Sequence, residues 1–176
     1  MKTLSFNCHG LAGSHKRMSL KRLVDNTCLD IILLQETLGD RDFVVKFLEG
    51  VCVGWHFEAM DARGRSGGLV VGWRSRVCNY VNLWGFESGM GVEIFSEELS
   101  RVLTIVNIYG PYNNRATYWN SLMQNPFMKE KVDILGGDLN LTLGATEVWG
   151  PHAIPDSMVD CFISIFARWG LVDIAP

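Results

Sequence analysis

Five short apolar runs, each bounded by glycine, asparagine or aspartate, constrain the fold of this chain more than any other feature. The runs lack the polar–apolar alternation of a half-exposed strand, so they predict strands that are buried on both faces. Strands of this kind need a covering layer on each side of their sheet. The five runs are TLSFNC at 3–8, DIILLQ at 30–35, GLVVGW at 68–73, VLTIVNIY at 102–109 and VDILGG at 132–137.

Stretches with apolar residues at helical spacing lie between and after these runs. The first apolar face consists of Leu20, Leu23, Val24 and Cys28, and the second of Phe43, Val44, Phe47 and Leu48 with a stop at Gly50. The clearest helix is SMVDCFISIFARWG at 157–170, in which Ser157 and Asp160 form a start like a capping box and Gly170 forms the end. The apolar stripe of this helix consists of Val159, Phe162, Ile163 and Phe166.

The middle of the chain, from about 52 to 109, has a different order of predicted elements, because strand follows strand there. The segment SEELS at 96–100 predicts a hairpin turn. Helix-bearing crossovers combined with a run of hairpins predict an α/β fold, a layered α/β sandwich of two mixed sheets flanked by helices. The length of 176 residues suits a single domain over 1–176.

Composition narrows the class of protein. Apolar residues make up 48% of the chain and charged residues 20%, which argues against wholesale disorder. No apolar stretch approaches the roughly 20 residues that cross a bilayer, and the N-terminus has too short an apolar run for a secretory signal. The five cysteines include no C-x-x-C pair and no zinc-finger spacing, so we expect reduced thiols in an intracellular protein of the nucleus or cytoplasm.

Polar residues stand where four of the predicted strands end. Asn7 ends the first, Glu36 follows the second, Tyr109 ends a third together with Asn107, and Asp138 and Asn140 follow the run at 132–137. If these ends meet at one edge, two carboxylates and several amides make an oxygen-rich cluster that suits Mg²⁺ and a phosphate oxygen. Each piece alone has an ordinary alternative, since Asp-x-Asn is also a common turn or capping device.

The motifs FNCHGL, LLQET, GRSGGLVVGW, VNIYGPY and GGDLNL occur in this order along the chain. Together they resemble the endonuclease/exonuclease/phosphatase superfamily, the fold of apurinic endonucleases and DNase I. The residues of the short motifs QET, RSGGL, NIYGP and GGDLN look most like the endonuclease domain of plant LINE-type (non-LTR) retrotransposon polyproteins. The likeness extends over residues 1 to 176.

The resemblance implies a metal-dependent endonuclease that uses Mg²⁺ (or Mn²⁺), with DNA as partner, no membrane and no organic cofactor. It implies that Glu36 is the principal metal ligand, that Asn7 belongs to the metal site and orients Glu36 or the metal's waters, and that Asp138 positions and deprotonates the attacking water. Asn140 would contact the same phosphate, and Tyr109 would stabilise the charge that develops on it. Arg115, in GPYNNR, is a looser match for a residue that clamps a neighbouring phosphate.

Two features depart from the family pattern. His9 stands where the family often has Asp or Arg, and imidazole is a poor ligand for a hard cation. The family continues through a TW strand and an RLDR segment to a terminal SDH, and these have no counterpart in the 176 residues. We therefore expect a C-terminally truncated domain without its last strands, whose catalytic histidine region is absent and whose activity is open.

The segment HKRMSLKR at 15–22 places Lys16 and Arg17 at the start of the first predicted helix, where they can contact a phosphate backbone. The alternative is an ordinary solvated helix face. The net charge of −3 means that a nucleic acid would have to be held by a local basic patch. Two other functions stay open: a phosphatase of the same superfamily, and a catalytically dead retroelement remnant with residual binding.

Overall fold

The computed structural model describes residues 1–63, 66–129, 132–144, 147 and 156–174. Its strands are β1 (Thr3–Asn7), β2 (Ile31–Gln35), β3 (Trp55–Arg63), β4 (Ser66–Arg74), β5 (Cys78–Phe86), β6 (Gly89–Ser96), β7 (Arg101–Tyr109) and β8 (Ile134–Asp138). Its helices are α1 (Ser14–Thr27), α2 (Arg41–Val51), α3 (Arg115–Gln124), α4 (Pro126–Lys129) and α5 (Val159–Trp169). Each of the five predicted strands is present, and the SEELS segment forms the turn between the antiparallel strands β6 and β7.

The described strands form two four-stranded sheets, each with one parallel pair. The first sheet has the order β1-β2-β4-β3, in which β1 runs parallel to β2 and the other neighbours are antiparallel. The second has the order β5-β6-β7-β8, in which β7 runs parallel to β8. Both sheets are therefore mixed, as the sequence predicts.

The two sheets pack face to face and carry helices on their outer faces. Ile31 and Leu33 of β2 meet Val92 and Ile105 of the second sheet in a shared core. On the outer side of the first sheet, Leu34 packs with residues of α1 and α2 such as Val24 and Leu48. On the outer side of the second sheet, Ile108 packs with residues of α3 and α5 such as Trp119 and Phe162. The predicted layered α/β sandwich is confirmed.

Burial on both faces holds for β2, whose five residues are all buried, but the prediction is wrong for β1 and for β8, whose five residues are only partly buried. Phe6 in β1 is 45% exposed, because β1 lies at the edge of its sheet. A sequence pattern reports how apolar a strand is and does not report whether the strand is central or at an edge.

Helix ends differ from the sequence expectation at two places. Gly50 does not end α2, which continues to Val51 because this residue and Cys52 pack into the core. Helix α5 has Met158 as its N-cap without a side-chain cap, so the predicted start at Ser157 is wrong. Asp156 instead accepts a hydrogen bond from the Met158 N–H.

The apolar faces of the helices are narrower than the sequence predicts. Cys28 is exposed because it is the left-handed C-cap of α1, and Phe43 and Ile163 are more than half exposed. In α5 the second fully buried residue beside Phe162 is Ile165. The predicted end of α5 at Gly170 is confirmed. Among the described residues, no helix combines the length and the apolar character needed to span a membrane.

Candidate active site

The strand ends predicted to meet do meet, because each sheet contributes one parallel pair. In the first sheet Asn7 is paired with Gln35, so Asn7 lies beside the residue that precedes Glu36. In the second sheet Tyr109 is paired with Asp138. Since the sheets face each other with β1 close to β8, these ends form one cluster at a single edge of the sandwich.

Asn7 joins the two carboxylates. Its side-chain Nδ2 donates to Glu36 Oε1 at 3.1 Å and to Asp138 Oδ2 at 2.9 Å. Positions 36 and 138, about a hundred residues apart in sequence, are thus held through one amide group. Two carboxylates this close repel each other, and the shared donor offsets part of that repulsion.

Tyr109 keeps Glu36 ionised. A hydrogen bond from its phenol is the main reason that the pKa of Glu36 lies below the ordinary carboxyl value; the Asn7 amide and His9 lower it further, while burial opposes them. Burial and the bond to Glu36 in turn raise the pKa of Tyr109 well above that of a free phenol. Glu36 is therefore an anion, and Tyr109 a neutral hydrogen-bond donor, over the whole physiological pH range.

Asn140 holds the segment after β8 through its backbone N–H and its side-chain amide. Its backbone N–H donates to Asp138 Oδ1 at 3.2 Å, and its Nδ2 donates to the Gly110 carbonyl at 2.5 Å. Asn140 has a φ of +50°, a left-handed conformation that asparagine tolerates better than most residues. Asn140 thus has the turn role that was the ordinary alternative, and it lies next to Asp138.

His9 also belongs to the cluster, which the sequence left open. Its ring Nδ1 lies 2.9 Å from Glu36 Oε2, and its backbone N–H donates to Asn7 Oδ1 at 3.1 Å. The imidazole side chain is 73% exposed, whereas the Glu36 side chain is 14% exposed. His9 therefore covers the solvent side of the Glu36 carboxylate.

The three basic residues predicted to contact phosphate lie in different surroundings. The Lys16 ammonium donates to the carbonyls of Cys8 and His9, so it lies beside the site and fastens the segment after β1. Arg17 lies over the Phe47 ring at 4.9 Å. Arg115 pairs with Asp156 at 2.5 Å and is largely buried, so the structure shows it tying α3 to the segment before α5.

The Arg115 pair also controls the ionisation of Asp156. Partial burial raises the pKa of this carboxyl, but the hydrogen bond from Arg115, with those from the Met158 and Thr142 backbone, lowers it below its ordinary value. Asp156 shares a pocket of about 670 Å³ with Asn7, Asp138 and Asn140. Asp156 therefore forms part of the wall of the candidate site, and Arg115 holds it in place.

A buried polar network supports the site from behind. Asn107 is fully buried between the sheets; its Nδ2 donates to the carbonyls of Leu34 and Val70, and its Oδ1 accepts from Gln35 Nε2 at 2.8 Å. Gln35 also donates to Ser5 Oγ. The sequence marks both amides as strand-end residues but does not show that they bridge the two sheets.

The Gly67–Gly68 pair holds the Glu36 segment, a role that sequence reasoning missed although the RSGGL motif signals it. The N–H groups of Thr37 and Leu38 donate to the carbonyls of Gly68 and Gly67 at 3.2 and 3.3 Å. A Cβ at position 68 would collide with Thr37 Oγ1, and φ at Gly68 is +83°. Only glycine lets β4 approach Glu36 this closely.

The donor set fits a hard divalent cation. Glu36 and Asp138 present carboxylate oxygens at one place, and no sulfur ligand belongs to the cluster. The described residues contain no group of three or more His, Cys, Asp and Glu side chains arranged around one point. One or two carboxylates, with the remaining positions left to water and substrate, is the pattern in which proteins hold Mg²⁺.

No protein-family model matches this chain, and no curated protein sequence matches it significantly. Solved structures do match it. An AP endonuclease from Archaeoglobus fulgidus aligns with a TM-score of 0.71 at 15% identity, over 95% of this chain and 70% of that one. D. rerio TDP2 complexed with a single-strand DNA product aligns with a TM-score of 0.62 at 16% identity, over 80% of this chain and 60% of that one.

A mannosyl-6-phosphatase from Bacteroides thetaiotaomicron aligns with a TM-score of 0.63 at 13% identity, over 92% of this chain and 69% of that one. Another neighbour from that organism is an endonuclease/exonuclease/phosphatase family protein. The fold is DNase I-like. This DNase I-like chain spans 60% to 70% of the length of the AP endonuclease, TDP2 and mannosyl-6-phosphatase structures. At these identities the likeness establishes the architecture, and the chemistry has to be argued from the site.

Proposed function

We propose that this DNase I-like chain is a divalent-metal-dependent phosphodiesterase that nicks DNA, an endonuclease of the LINE retrotransposon type. The observation that carries the proposal is the Asn7 amide, which holds Glu36 and Asp138 together beside the Tyr109 phenol. The particular residues of the QET, RSGGL, NIYGP and GGDLN motifs support the retrotransposon branch. The neighbours named for AP endonuclease activity and for a bound DNA product support a nucleic-acid substrate.

In this proposal Glu36 is the principal ligand of Mg²⁺ or Mn²⁺. When bound, the cation supplies positive charge that offsets the negative charge developing on the phosphate oxygens. Asn7 and His9 fix the orientation of the Glu36 carboxylate. The low pKa of Glu36 keeps it anionic, which a cation ligand requires.

Asp138 positions the attacking water and accepts its proton as the water oxygen bonds to phosphorus. The ester oxygen leaves with the electron pair of the broken P–O bond and takes a proton from solvent water. The backbone N–H of Asn140 donates to the Asp138 carboxylate and so directs that carboxylate toward the phosphate. When the phosphate binds, the Tyr109 phenol transfers its hydrogen bond from Glu36 to a phosphate oxygen, and this interaction strengthens as that oxygen gains charge. Lys16, beside the His9 carbonyl, contacts a flanking phosphate.

A phosphatase of the same superfamily is the second candidate, since the mannosyl-6-phosphatase neighbour has the same architecture. It would use the same residues on a phosphomonoester. A catalytically dead remnant is the third reading. A nucleic-acid substrate would place the protein in the nucleus or cytoplasm.

The test is nicking of supercoiled plasmid with and without Mg²⁺ or Mn²⁺. We expect metal-dependent nicking, and we expect Glu36→Gln and Asp138→Asn each to reduce its rate at least about 100-fold. Glu98→Gln is the matched control, because it removes an exposed carboxylate on the turn between β6 and β7. Calorimetric Mn²⁺ binding gives a readout other than activity, and Glu36→Gln should weaken it more than Glu98→Gln.

Each alternative predicts a different result. Equal nicking by the wild type and both variants would show that the assigned carboxylates are wrong. Hydrolysis of a small phosphomonoester without plasmid nicking would favour the phosphatase. DNA binding that is unchanged in both variants, without hydrolysis of either substrate, would favour the remnant.

A further inference from the structure

The described part of the chain has four edge strands, which lie in pairs on two sides of the sandwich. Strands β1 and β8 lie close together on one side, and β3 and β5 lie on the other, where Met60 is next to Gly85. An edge strand exposes backbone N–H and C=O groups that can pair with a strand of another chain. Charges, prolines and bulges block such pairing, so these features distinguish a closed edge from an open one.

The side formed by β3 and β5 is blocked. The guanidinium of Arg41, at the start of α2, donates to Glu58 of β3 at 2.9 Å, so a charged pair lies against this edge. The Ala62 N–H of β3 is already used, because it donates to the Gly39 carbonyl. In β5 the register against β6 shifts just after Tyr80, which interrupts a regular edge. A further strand therefore has no regular template on this side.

The edge of β8 lacks these protections in the part of the chain that the structure describes. The strand reads ILGGD, with no proline and no charge before Asp138, and its pairing with β7 is regular over all five residues. The Asp133 N–H donates to Thr104 of β7. Because backbone groups alternate in direction along a strand, the N–H groups of Ile134 and Gly136 point away from β7. They face outward, where a further strand could accept from them.

A second groove of about 670 Å³ adjoins the pocket of the candidate site, and we call it the β8 groove. Ile134 and Leu135 point to opposite faces of the sheet and both line it, so the groove follows the edge of β8. Val172 and Ile174 also line the groove, and they are 85% and 87% exposed. Exposed apolar side chains next to outward-facing backbone groups are the surface that an added strand covers.

The charges along this edge are mainly negative. Five carboxylates line the β8 groove and the adjoining site pocket, those of Asp133, Asp138, Glu147, Asp156 and Asp173. Arg101 is the one Lys or Arg side chain among the described lining residues, and it pairs with Asp133 at 2.6 Å. The excess of negative charge favours a partner that carries basic residues.

We propose that the β8 groove is a docking site for an extended segment of a partner protein, which adds a strand to the second sheet beyond β8. The middle of the segment is uncharged and partly apolar, and its backbone pairs with Ile134 and Gly136. A lysine or arginine on its flank faces Asp173. A second copy of this chain fits less well, because β8 has Asp133 and Asp138 at its two ends and antiparallel pairing of two copies would bring like charges together.

The probe is a blocked, fluorescein-labelled peptide of about nine residues, with alternating valine and threonine and a lysine at each end. We expect it to bind the full chain in fluorescence anisotropy and to slow the amide hydrogen exchange of Ile134 and Gly136, measured by NMR. Exchange at Glu58 and Met60 of the blocked strand β3 should not change. A peptide N-methylated throughout its middle cannot donate backbone hydrogen bonds and should bind at least about 10-fold more weakly.

Asp173→Lys tests the charge preference. We expect it to weaken binding of the lysine-ended peptide about 2- to 5-fold, since an exposed attraction becomes a repulsion. Glu98→Lys is the matched control, because it reverses an exposed carboxylate on the turn between β6 and β7 and should bind like the wild type. A peptide with glutamate at both ends should bind the wild type more weakly than the lysine-ended peptide. Thermal unfolding of each variant checks that the fold is retained.

Absence of binding, or binding that leaves exchange at Ile134 and Gly136 unchanged, would overturn the proposal. Equal slowing at Glu58 and Met60 would also overturn it, because the peptide would then not distinguish the two sides of the sandwich. Equal affinity for the lysine-ended and glutamate-ended peptides would overturn the choice of a basic partner. If the chain sediments as a dimer without peptide and Ile134 and Gly136 are already protected, the occupant is a second copy and the proposal is wrong.

Discussion

Tyr109 lies at the centre of the site, where a hydrogen bond from its phenol is the main cause of the lowered pKa of Glu36. This bond keeps the proposed metal ligand anionic. The tyrosine of the NIYGPY motif therefore controls the charge of a carboxylate that belongs to a different strand end.

The first prediction concerns the pKa of Glu36. Its pKa lies below the ordinary value of 4.5, so ionised Glu36 stabilises the fold above that pH, and this contribution is lost as the pH falls through the folded-state pKa. Tyr109→Phe removes the main cause of the shift. We expect the pKa of Glu36 to rise and acid unfolding to begin at a higher pH, measured by carboxyl carbon NMR titration and by circular dichroism.

Tyr80→Phe is the matched control for this titration, since it removes a phenol that stacks on Trp73 away from Glu36. An unchanged Glu36 pKa in Tyr109→Phe would mean that the Asn7 amide and His9 suffice to set it.

At the scale of elements, the approach of β4 to the segment after β2 decides where Glu36 lies. Glu36 itself has a φ of +52° and Leu38 a φ of +53°, so this segment has two residues in the left-handed region, where most side chains are disfavoured. Backbone hydrogen bonds to Gly67 and Gly68 offset that cost. A strained segment held by a glycine pair is sensitive to any side chain added there.

The second prediction compares Gly68→Ala with Gly54→Ala. Both glycines have a φ near +80°, but a Cβ at Gly68 meets Thr37 and Leu38, whereas one at Gly54 meets nothing within 4 Å. The left-handed backbone costs about 1–2 kcal/mol in each variant. We expect Gly68→Ala to lose about 1–3 kcal/mol more in urea unfolding and to weaken Mn²⁺ binding, because the collision moves Glu36.

The pair of variants separates collision from backbone strain. If the two lose the same free energy of unfolding and bind Mn²⁺ equally well, the Gly67–Gly68 pair does not position Glu36.

At the scale of the whole molecule, the Asn107 amide joins the two sheets across a core that is otherwise apolar. Most of the stabilising free energy of the sandwich comes from that apolar contact. The Asn107 amide fixes the relative position of the two sheets, because its hydrogen bonds form only in one placement of β7 against β2 and β4. The same placement brings Tyr109 and Asp138 to the edge where Asn7 and Glu36 end.

The third prediction concerns Asn107→Ala. The substitution removes one of the two acceptors of Gln35 Nε2, which keeps its bond to Ser5 Oγ. It also removes the side-chain donor to the Leu34 and Val70 carbonyls, and together these losses cost about 1–3 kcal/mol of unfolding free energy. Because the relative position of the two sheets is then less firmly held, we also expect broader NMR signals for Asn7 and Asp138. Asn79→Ala is the control, since it removes an exposed amide that pairs with Glu97, and a surface change of this kind stays within about 0.5 kcal/mol. Equal stability of the two variants would rule out a structural role for the buried network.

The sequence by itself determined the fold class, the presence of five of the strands and the polar positions at the ends of four of them. Apolar runs without alternation report buried strands, and polar residues directly after such runs report an edge where loops begin. These signals are local in the chain, so they can be read from the order of residues. The predicted helix boundaries at Gly50 and Ser157 were less accurate, because tertiary packing shifts a boundary by one or two residues.

Only the tertiary structure decided which neighbours each site residue has. The bond between His9 and Glu36, the pairing of Arg115 with Asp156 and the Asn107 bridge all join segments that are distant in sequence or lie on opposite sheets. Distances of this kind follow from how two sheets pack, which depends on the volume of the whole core. The sequence named the residues that meet at the edge, and the packing of the sheets determined the angles and partners through which they can act.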